Sequence, residues 1–495
     1  MPERAEHVDG PSSPAFHIMS ERRELPRIIQ GGMGLAVSHW RLARTVAAEG
    51  QLGVVSGTAI DSVLVRRLQD GDACGSIRRA MARFPIPDVS EYVLRRFFNA
   101  EGRSPSTPYK LLPLYRLAVS PLRQQITMLA AFVEVSLARE GHDGMVGLNL
   151  LTKVQMPTLA TLYGAMLAGV HVVLMGAGIP REIPGALDAL TRHESATLRF
   201  DVEGSSSANP EFLSFDPREH HPAADEPLHR PLFFPIVSAA SLAQTLARKS
   251  NGRVDGFVVE GPTAGGHNAP PRGTLRLTDD GEPVYGPRDV VDLDAMREIG
   301  LPFYLAGGVG SPDGLEDALD QGAAGIQVGT LFAYADESGF TPDIKRAVLQ
   351  AAASGNVRVR TDVRASPTGY PFKVVIAGDA PALDATRKRV CDLGYLRVAA
   401  RRDEGKLTYR CAAEPVDQYV AKGGSLEDTV GRQCLCNALF ACVGQGQSRD
   451  DGRIEPSIVT SGDDARQLTV FARGRTSYGA RDVLAWLLRT ESMVT

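Results

Sequence analysis

The residues best suited to catalysis or ligand binding follow an apolar run, in the stretch V-V-E-G-P-T-A-G-G-H-N at 258–268. A histidine exchanges protons near neutral pH, and the two glycines before it let its loop come close to a bound molecule. We therefore predict that His267 is a proton-transfer or orienting group in a ligand site. The same stretch also fits an ordinary glycine turn that binds no ligand. The prediction therefore depends on which other residues lie near His267 in the fold.

Two further glycine turns are typical of phosphate binding. Residues 306–311 read A-G-G-V-G-S, and residues 327–330 read Q-V-G-T. Glycines allow backbone N–H groups to approach a phosphate without a Cβ in the way. These turns predict a phosphate site, and the alternative is that the glycines only permit tight turns between strands and helices.

The turn Gln30-Gly31-Gly32-Met33-Gly34 predicts a surface for a flat heteroaromatic ring. It would present backbone amides and a soft methionine side chain, which can face such a ring and its polar edge. Asn149 lies inside the apolar run V-G-L-N-L-L, and a buried amide needs partners that a ligand can supply. A core asparagine satisfied by protein groups remains the alternative.

The elements that must position these residues are apolar runs that alternate with helical patterns. The runs are 27–30, 52–56, 145–151, 171–178, 231–237, 255–261, 302–309 and 324–332, and the helical patterns include 38–49 with Ser38 as its N-cap, 156–168, 241–250 and 312–321. Continuous apolar strands with glycine at their C-termini indicate a parallel sheet covered by helices.

Eight such runs favour an α/β fold of the (β/α)8 TIM-barrel class, whose typical length is about 250 residues before insertions. A doubly wound open sheet is the alternative, but Q-G-G-M-G-L-A-V-S lacks the G-x-G-x-x-G spacing of that fold. In a barrel, the loops after the strands meet at one face. The glycine turns and His267 are therefore expected to lie together.

Insertions and terminal segments complete the predicted organisation. A helical insertion after strand 2, residues 83–125, fits a lid or a surface excursion, and the insertion 193–230 fits a strand pair followed by a solvated polar loop. Residues 1–24 are predicted to be a disordered leader, 25–375 the barrel and 376–495 a smaller extension that packs on it. The histidines of the second insertion match no zinc spacing; they are His193, His220, His221 and His229.

The extension carries a group of cysteines, Cys411, Cys434, Cys436 and Cys442. Thiolates this close in sequence could hold zinc or an iron-sulfur cluster. Their C-x-C and C-x5-C spacings differ from the C-x2-C of known metal ribbons and ferredoxins. Free thiols packed under or along the barrel mouth are the preferred interpretation, and no metal is expected.

Composition excludes several classes of partner. The chain has 495 residues, 43% of them hydrophobic and 23% charged, and a formal net charge of -4. It has no basic field of the kind that nucleic-acid binding needs, and no apolar run of the roughly 20 residues that span a bilayer. The N-terminus lacks the apolar core of a signal peptide. We therefore expect a cytoplasmic protein without nucleic-acid or membrane partners.

Taken together and in order, seven motifs resemble the nitronate monooxygenase family, formerly called 2-nitropropane dioxygenases. That superfamily includes FMN-dependent enoyl-acyl carrier protein reductases. The resemblance covers roughly residues 25–375, and the motifs are I-I-Q-G-G-M-G (28–34), G-V-V-S-G (53–57), G-L-N-L-L (147–151), M-G-A-G-I-P (175–180), V-E-G-P-T-A-G-G-H-N (259–268), A-G-G-V-G (306–310) and Q-V-G-T-L-F (327–332).

The resemblance implies an FMN-binding TIM barrel and a role for each matched residue. The residues that would contact the flavin ring are Gln30, Gly31, Gly32, Met33, Asn149, Glu260 and Gly265. Those that would hold the ribityl phosphate are Gly307, Gly308, Gln327, Gly329 and Thr330. His267 takes the active-site histidine position of the family.

The implied function is that of an FMN-dependent oxidoreductase that oxidises a nitronate or a similar carbanion with O2. The alternative is an NAD(P)H-dependent enoyl-thioester reductase that serves an acyl carrier protein, and a second alternative is a flavin-binding scaffold without turnover. Many nitronate monooxygenases carry Gln and Glu where this chain has Glu260 and Thr263. A homodimer is compatible with each of these functions.

Overall fold

A computed structural model of the chain describes residues 24–205, 209–222, 224–377, 387–402 and 405–490. The predicted leader lies outside the described residues except for Glu24. No helix in these ranges combines the length and the apolar character that a membrane crossing requires.

Eight parallel strands close into a barrel in sequential order, which confirms the predicted fold class. The last strand pairs with the first through Ile28 and Ile326. We number the barrel strands one to eight along the chain: Ile28–Gln30, Leu52–Ser56, Val146–Leu151, Val172–Gly176, Leu232–Val237, Phe257–Glu260, Phe303–Ala306 and Gly325–Val328.

Both faces of the barrel strands are buried, which explains why they are apolar without alternation. Ile29, Val54 and Leu174 belong to a cluster that fills the barrel interior, together with Phe234 and Val258. The neighbouring positions belong to a larger cluster between the strands and the outer helices. Since the interior is filled with side chains, a ligand can enter only at an end of the barrel.

Helices cover the outside of the barrel and extend beyond it. Those up to the eighth strand are Trp40–Ala48, Ile60–Gln69, Ser76–Met81, Pro87–Phe97, Pro121–Ala138, Thr158–Leu167, Ile183–Thr191, Pro217–His220, Ala240–Lys249, Leu293–Glu298 and Pro312–Asp320. Those after it are Thr330–Ala333, Pro342–Ala353, Val416–Ala421, Leu435–Cys442, Gln467–Ala472 and Ala480–Leu487.

The predicted N-cap of the first helix is wrong by one residue. His39 caps the helix, because its Nδ1 accepts a hydrogen bond from the Arg41 N–H at 3.1 Å. The Ser38 hydroxyl instead accepts from the Met33 N–H at 2.8 Å. Ser38 therefore fixes the glycine turn after the first strand rather than the start of the helix.

The first insertion does not line the main cavity: its helix packs on outer helices, and its later part, with Tyr109 and Tyr115 buried, packs against the C-terminal extension. Its helix Pro87–Phe97 packs on the helices Ile60–Gln69 and Pro121–Ala138. No residue of 83–125 is among those that line the main cavity described below. The apolar side of the amphipathic helix Pro87–Phe97 is buried against these two helices and does not contact the main cavity.

The second insertion contains the predicted strand pair, Ala196–Phe200 and Glu211–Phe215, which is antiparallel. Its histidines are not all solvated, contrary to expectation. His193 is buried and bonds the Tyr163 hydroxyl at 2.8 Å, while His220 is buried and stacks on the Phe215 ring. Aromatic neighbours from this insertion and an outer helix cover both imidazoles.

After the barrel the chain crosses the face where the strands end. An antiparallel pair, Val357–Asp362 and Phe372–Ala377, comes first. A second pair, Val398–Arg401 and Leu407–Arg410, continues the short strand Val202–Glu203 of the second insertion. The extension is thus tied to the barrel domain by strand pairing as well as by side-chain packing.

Candidate active site

A cavity lies at the C-terminal ends of the barrel strands. It encloses about 1490 Å³ of empty space, including the part open to solvent. The glycine turns after strands one, seven and eight meet here, as the barrel geometry requires.

The structure brings most of the sequence-predicted residues to this one cavity. Those that line it are Gly31, Gly32, Met33, Asn149, Glu260, Gly265, His267, Gly307, Gln327, Gly329 and Thr330. Gln30 and Gly308 are not part of the lining. The side chain of Gln30 is fully buried, and its oxygen accepts from the Val54 N–H at 3.1 Å. Gln30 thus joins the first two strands and has no free polar group for a ligand.

Glycine is required at two positions of the cavity wall. A Cβ on Gly32 would lie 2.2 Å from the Cβ of Asn149. Gly307 has φ +89°, and a Cβ there would lie 2.8 Å from the Ala264 backbone nitrogen. These contacts bring bare backbone to the cavity surface, next to the Asn149 amide.

Gln327, which lines the same space, carries an unpaired acceptor. Gln327 Oε1 is buried and has no hydrogen-bond partner among the residues that the structure describes. A buried polar atom left unpaired costs about 1–3 kcal/mol. Met33, Leu35 and Val37 supply apolar surface in the same cavity. An acceptor, bare backbone and apolar surface together suit a flat heterocycle with a polar edge.

His267 is held by the chain that crosses the barrel mouth. Its Nε2 lies 2.7 Å from the Ser366 hydroxyl, and its ring packs edge-on against Phe372 at a centroid distance of 4.9 Å. Burial, assisted by the positive charge of Lys153, lowers the pKa of His267 to about 4. The imidazole is therefore neutral at physiological pH and can exchange a hydrogen bond with Ser366.

Glu260 ends the sixth strand and lines the cavity near His267. No hydrogen bond or ion pair joins its carboxyl group to another described residue. Burial raises the pKa of Glu260 to about 7. The two titratable side chains are thus shifted in opposite directions, and the carboxyl group is the one that titrates near neutral pH.

The C-terminal extension closes the cavity, which the sequence motifs did not predict at the level of residues. Tyr395 and Leu396 line it from one segment, and Leu435, Cys436 and Leu439 line it from the helix Leu435–Cys442. Cys436 is one of the cysteines that were expected under or along the barrel mouth, and it lines the cavity. All of the cysteines are free thiols, and no group of metal-binding side chains occurs within the described ranges.

A second C-terminal segment, residues 459–464, lies against the turns after the sixth and eighth strands. The Thr330 hydroxyl accepts from the Gly462 N–H at 3.0 Å and donates to Asp464. The Thr460 hydroxyl accepts from the Gly266 N–H at 2.9 Å. Burial raises the pKa of Asp464 to about 6, although the hydrogen bond from Thr330 opposes the shift. The sequence S-G-D-D of this segment matches no motif that would have revealed it.

Comparison with known proteins confirms the resemblance that the motifs predicted. Residues 181–385, which include Glu260 and His267, match the nitronate monooxygenase family model. A probable nitronate monooxygenase of Staphylococcus saprophyticus is 32% identical over 123 residues, 25% of this chain and 33% of that protein.

A Mycobacterium tuberculosis protein is also similar, at 35% identity over 141 residues, 28% of this chain and 34% of that protein. It is named (3aS,4S,5R,7aS)-5-hydroxy-7a-methyl-1-oxo-octahydro-1H-indene-4-carboxyl-CoA dehydrogenase. The chain therefore spans about a third of the length of these two relatives. Among solved structures, FabK from Thermotoga maritima aligns with 94% of this chain and 92% of its own, at 16% identity and a TM-score of 0.46.

Proposed function

We propose that this chain, which carries a nitronate monooxygenase domain at residues 181–385, is an FMN-dependent oxidoreductase that oxidises a nitronate or a similar stabilised carbanion with O2. The observation that carries the proposal is the cavity itself. Bare backbone, the unpaired Gln327 oxygen, His267 and Glu260 meet there at the end of a parallel barrel.

The residues present fit a flavin. Gly31, Gly32 and Met33 would hold the ring together with Asn149, whose amide makes no hydrogen bond to another described residue. Gly307, Gly329 and Thr330 would hold the phosphate, since they follow the seventh and eighth strands, where barrels commonly bind one. A bound flavin would supply the redox chemistry, that is, the transfer of electrons from substrate carbon to oxygen.

The side chains of the chain bind and orient the substrate in this mechanism. His267 is neutral, and its bond to Ser366 and its contact with Phe372 fix the ring plane. Its free ring nitrogen can accept a hydrogen bond or donate one, according to the tautomer. Phe372, Leu396 and Leu435 exclude water from the reacting carbon, which protects a carbanion from protonation by solvent.

A second candidate function is the reduction of an enoyl thioester by NAD(P)H. Two observations favour it: the similarity to a protein whose name is that of an indene-carboxyl-CoA dehydrogenase, and an additional cavity beside the main one. A thioester carried on coenzyme A or on an acyl carrier protein needs more room than a small nitronate does. In this reaction His267 would donate a hydrogen bond to the thioester carbonyl.

The test is to purify the protein with its flavin and to mix it without oxygen in separate reactions with propyl-1-nitronate and with NADPH. Loss of the flavin absorption band with the nitronate, and oxygen consumption when air is admitted, are expected. Rapid bleaching by NADPH with no response to the nitronate would instead select the enoyl reductase. A protein that does not retain or take up FMN would contradict both functions.

The His267→Ala variant, which removes the imidazole but leaves the cavity walls, gives the second measurement. It should bind FMN as the wild type does and lose about five- to tenfold in kcat/KM, because the hydrogen bond that orients the substrate, worth about 1–1.5 kcal/mol, is lost. Normal turnover by this variant would contradict the role assigned to His267.

A further inference from the structure

Another cavity, which we call the side cavity, lies where the C-terminal extension meets the loop after the third barrel strand. It encloses about 1260 Å³ of empty space, including the part open to solvent. Its walls include residues 153–157 of the barrel, 367–369 of the chain that crosses the barrel mouth and 394–399 of the extension. Tyr395 and Leu396 line both this cavity and the main one, so the two spaces adjoin each other.

Three cations line the side cavity without a carboxylate at ion-pair distance among the described residues: Lys153, Arg397 and Arg432. Arg432 donates to four backbone carbonyls, so the fold itself uses most of its N–H groups. Arg397 donates to two backbone carbonyls, at 3.3 and 2.6 Å. The ammonium of Lys153 lies 3.3 Å from the centre of the Tyr370 ring and makes no hydrogen bond to another described residue. Lys153 and Arg397 therefore keep N–H donors for a ligand.

Burial makes these two positive charges unfavourable in the absence of a ligand. It lowers the pKa of Lys153 to about 8, although the negative charge of Asp201 opposes the shift, and it also lowers the pKa of Arg397. Removal of water disfavours the charged form of a cation, and a nearby anion favours that form. An anionic ligand beside Lys153 and Arg397 would therefore restore the stabilisation that burial removes.

The carboxylates in the wall of the side cavity do not neutralise these cations. Glu203 pairs with Arg410 at 2.5 Å, and Asp428 accepts a hydrogen bond from a tyrosine hydroxyl at 3.2 Å. Asp201 acts on Lys153 but forms no ion pair with it. Arg410 also keeps a buried N–H, at Nε, that has no partner among the described residues. The cations available to a ligand thus outnumber the carboxylates that would repel it.

We propose that Lys153 and Arg397 bind a phosphate group in the side cavity, carried by a phosphate ester or a diphosphate. A phosphate monoester has a charge of about -2 at neutral pH, which matches two cations, and lysine and arginine bind phosphate by charge-assisted hydrogen bonds. The site is separate from the one expected for the FMN phosphate, because Lys153 follows the third strand, across the barrel from the seventh. Both residues lie outside the range 181–385 that matches the family model. The inference does not depend on the proposed oxidation.

A calorimetric titration with inorganic pyrophosphate tests the site directly. The protein is first saturated with FMN, so that the phosphate site of the cofactor is filled. The wild type is expected to bind pyrophosphate, and Lys153→Met and Arg397→Met should each raise the Kd about fivefold or more, because each loses a charge-assisted hydrogen bond. Lys153→Arg keeps the charge and should bind within about threefold of the wild type. No binding by the wild type, or the same Kd in Lys153→Met and the wild type, would overturn the inference.

Two matched variants control for net charge. Lys249→Met and Arg95→Met remove exposed cations from outer helices, away from the side cavity, and should leave the Kd for pyrophosphate unchanged. Equal weakening in these controls would show an effect of net charge and overturn the site. A protein that takes up no FMN would contradict the proposed function, whereas pyrophosphate binding that is lost in Lys153→Met would still support this inference.

Steady-state kinetics distinguish a phosphate that belongs to the substrate from one on a separate ligand. If it belongs to the substrate, the nitronate of 4-nitrobutyl phosphate should have a KM about fivefold or more below that of the nitronate of 4-nitrobutanol, because only the phosphate reaches the two cations. Lys153→Met should then abolish the difference. Equal KM values, together with pyrophosphate binding that depends on Lys153, would support the site as one for a separate phosphate ligand.

Discussion

At the scale of single residues, the main cavity is defined by atoms that a bound ligand would satisfy or contact. Gln327 Oε1 has no partner in the described structure, and the Asn149 amide lies against Gly32 so closely that no side chain fits between them. Two titratable groups, Glu260 and His267, have pKa values shifted in opposite directions by the same burial. Burial disfavours the charged form of each, and this makes the glutamate, not the histidine, the group that titrates near neutral pH.

Gly32→Ala should abolish FMN binding. The added Cβ would lie 2.2 Å from the Cβ of Asn149, so either the turn or the asparagine must move out of the ring site. We expect the Kd for FMN, measured by fluorescence titration, to increase at least 100-fold, while the circular dichroism spectrum stays unchanged. Gly286→Ala, where a Cβ meets nothing within 4 Å, is the control and should bind normally. Normal FMN binding by Gly32→Ala would remove this turn from the cofactor site.

Asp464→Asn should make FMN binding less dependent on pH. Because the raised pKa of Asp464 is about 6, its charge develops as the pH rises through 6 and then repels a phosphate held at Thr330. Asp463 and Lys373 are the charged groups that act on it, with opposite signs. The variant should bind FMN about tenfold more tightly than the wild type at pH 7.5, which corresponds to about 1.4 kcal/mol, and about equally at pH 5.

The measurement for this prediction is the FMN dissociation constant of both proteins at the two pH values. Asp451→Asn, at an exposed aspartate that pairs with Arg453, controls for the loss of one negative charge. If the Asp451 and Asp464 variants changed the affinity equally, the effect would be one of net charge and not of position.

At the scale of elements, the barrel strands carry the site and the C-terminal segments cover it. The turns after the strands are held by hydrogen bonds within the barrel, such as the one from Met33 N–H to Ser38. Residues 459–464 depend on longer-range bonds, to Gly266 and Thr330. Further long-range bonds join the same segment to Thr263, Tyr334 and Lys373, so it is tied to the barrel along its whole length.

Thr330→Val should loosen the segment 459–464 selectively. The substitution keeps the shape of the side chain but removes the hydroxyl that accepts from Gly462 and donates to Asp464. We expect faster hydrogen exchange in this segment and a loss of about 1–3 kcal/mol in the free energy of unfolding. Thr245→Val, which removes an exposed hydroxyl on an outer helix, should change neither. Unchanged exchange at 459–464 in Thr330→Val would show that packing alone holds the segment.

At the scale of the whole molecule, a buried ionic network connects the barrel helices to the extension. Arg123 donates to Asp61 at 2.5 Å, and the hydroxyls of Tyr115 and Tyr395 donate to the same carboxylate. Although burial opposes ionisation, Arg123 and the two tyrosine bonds hold the pKa of Asp61 below its usual value. Tyr395 also lines the main cavity, so this network positions part of the cover over the site.

Arg123→Met should destabilise the protein by about 3–5 kcal/mol, because it leaves a buried carboxylate without its cation. The double variant Asp61→Asn with Arg123→Met should recover part of that loss. Arg83→Met breaks an exposed pair with Glu140 and should cost no more than about 1 kcal/mol. Urea unfolding of the variants measures these differences. An Arg123→Met loss no larger than that of Arg83→Met would contradict a structural role for the network.

The sequence by itself determined the eight strands, their order and the turns that follow them. Apolar runs without alternation predict buried parallel strands, and the glycines after them depend on local turn geometry. Both features can therefore be recognised from the sequence alone. The cavity-lining positions of Gly32, Asn149 and His267 follow once the barrel closes, because all strand ends then face the same side.

Only the tertiary structure decided which groups from outside the barrel complete the site. Tyr395 and Asp464 reach the cavity from segments whose sequence carries no periodic or motif signal, whereas Cys436 belongs to the cysteine group that was expected under or along the barrel mouth. The opposite pKa shifts of Glu260 and His267 arise from burial, which depends on neighbours far away in the sequence. Burial and long-range hydrogen bonds are properties of the packed chain, and local residue types do not specify them.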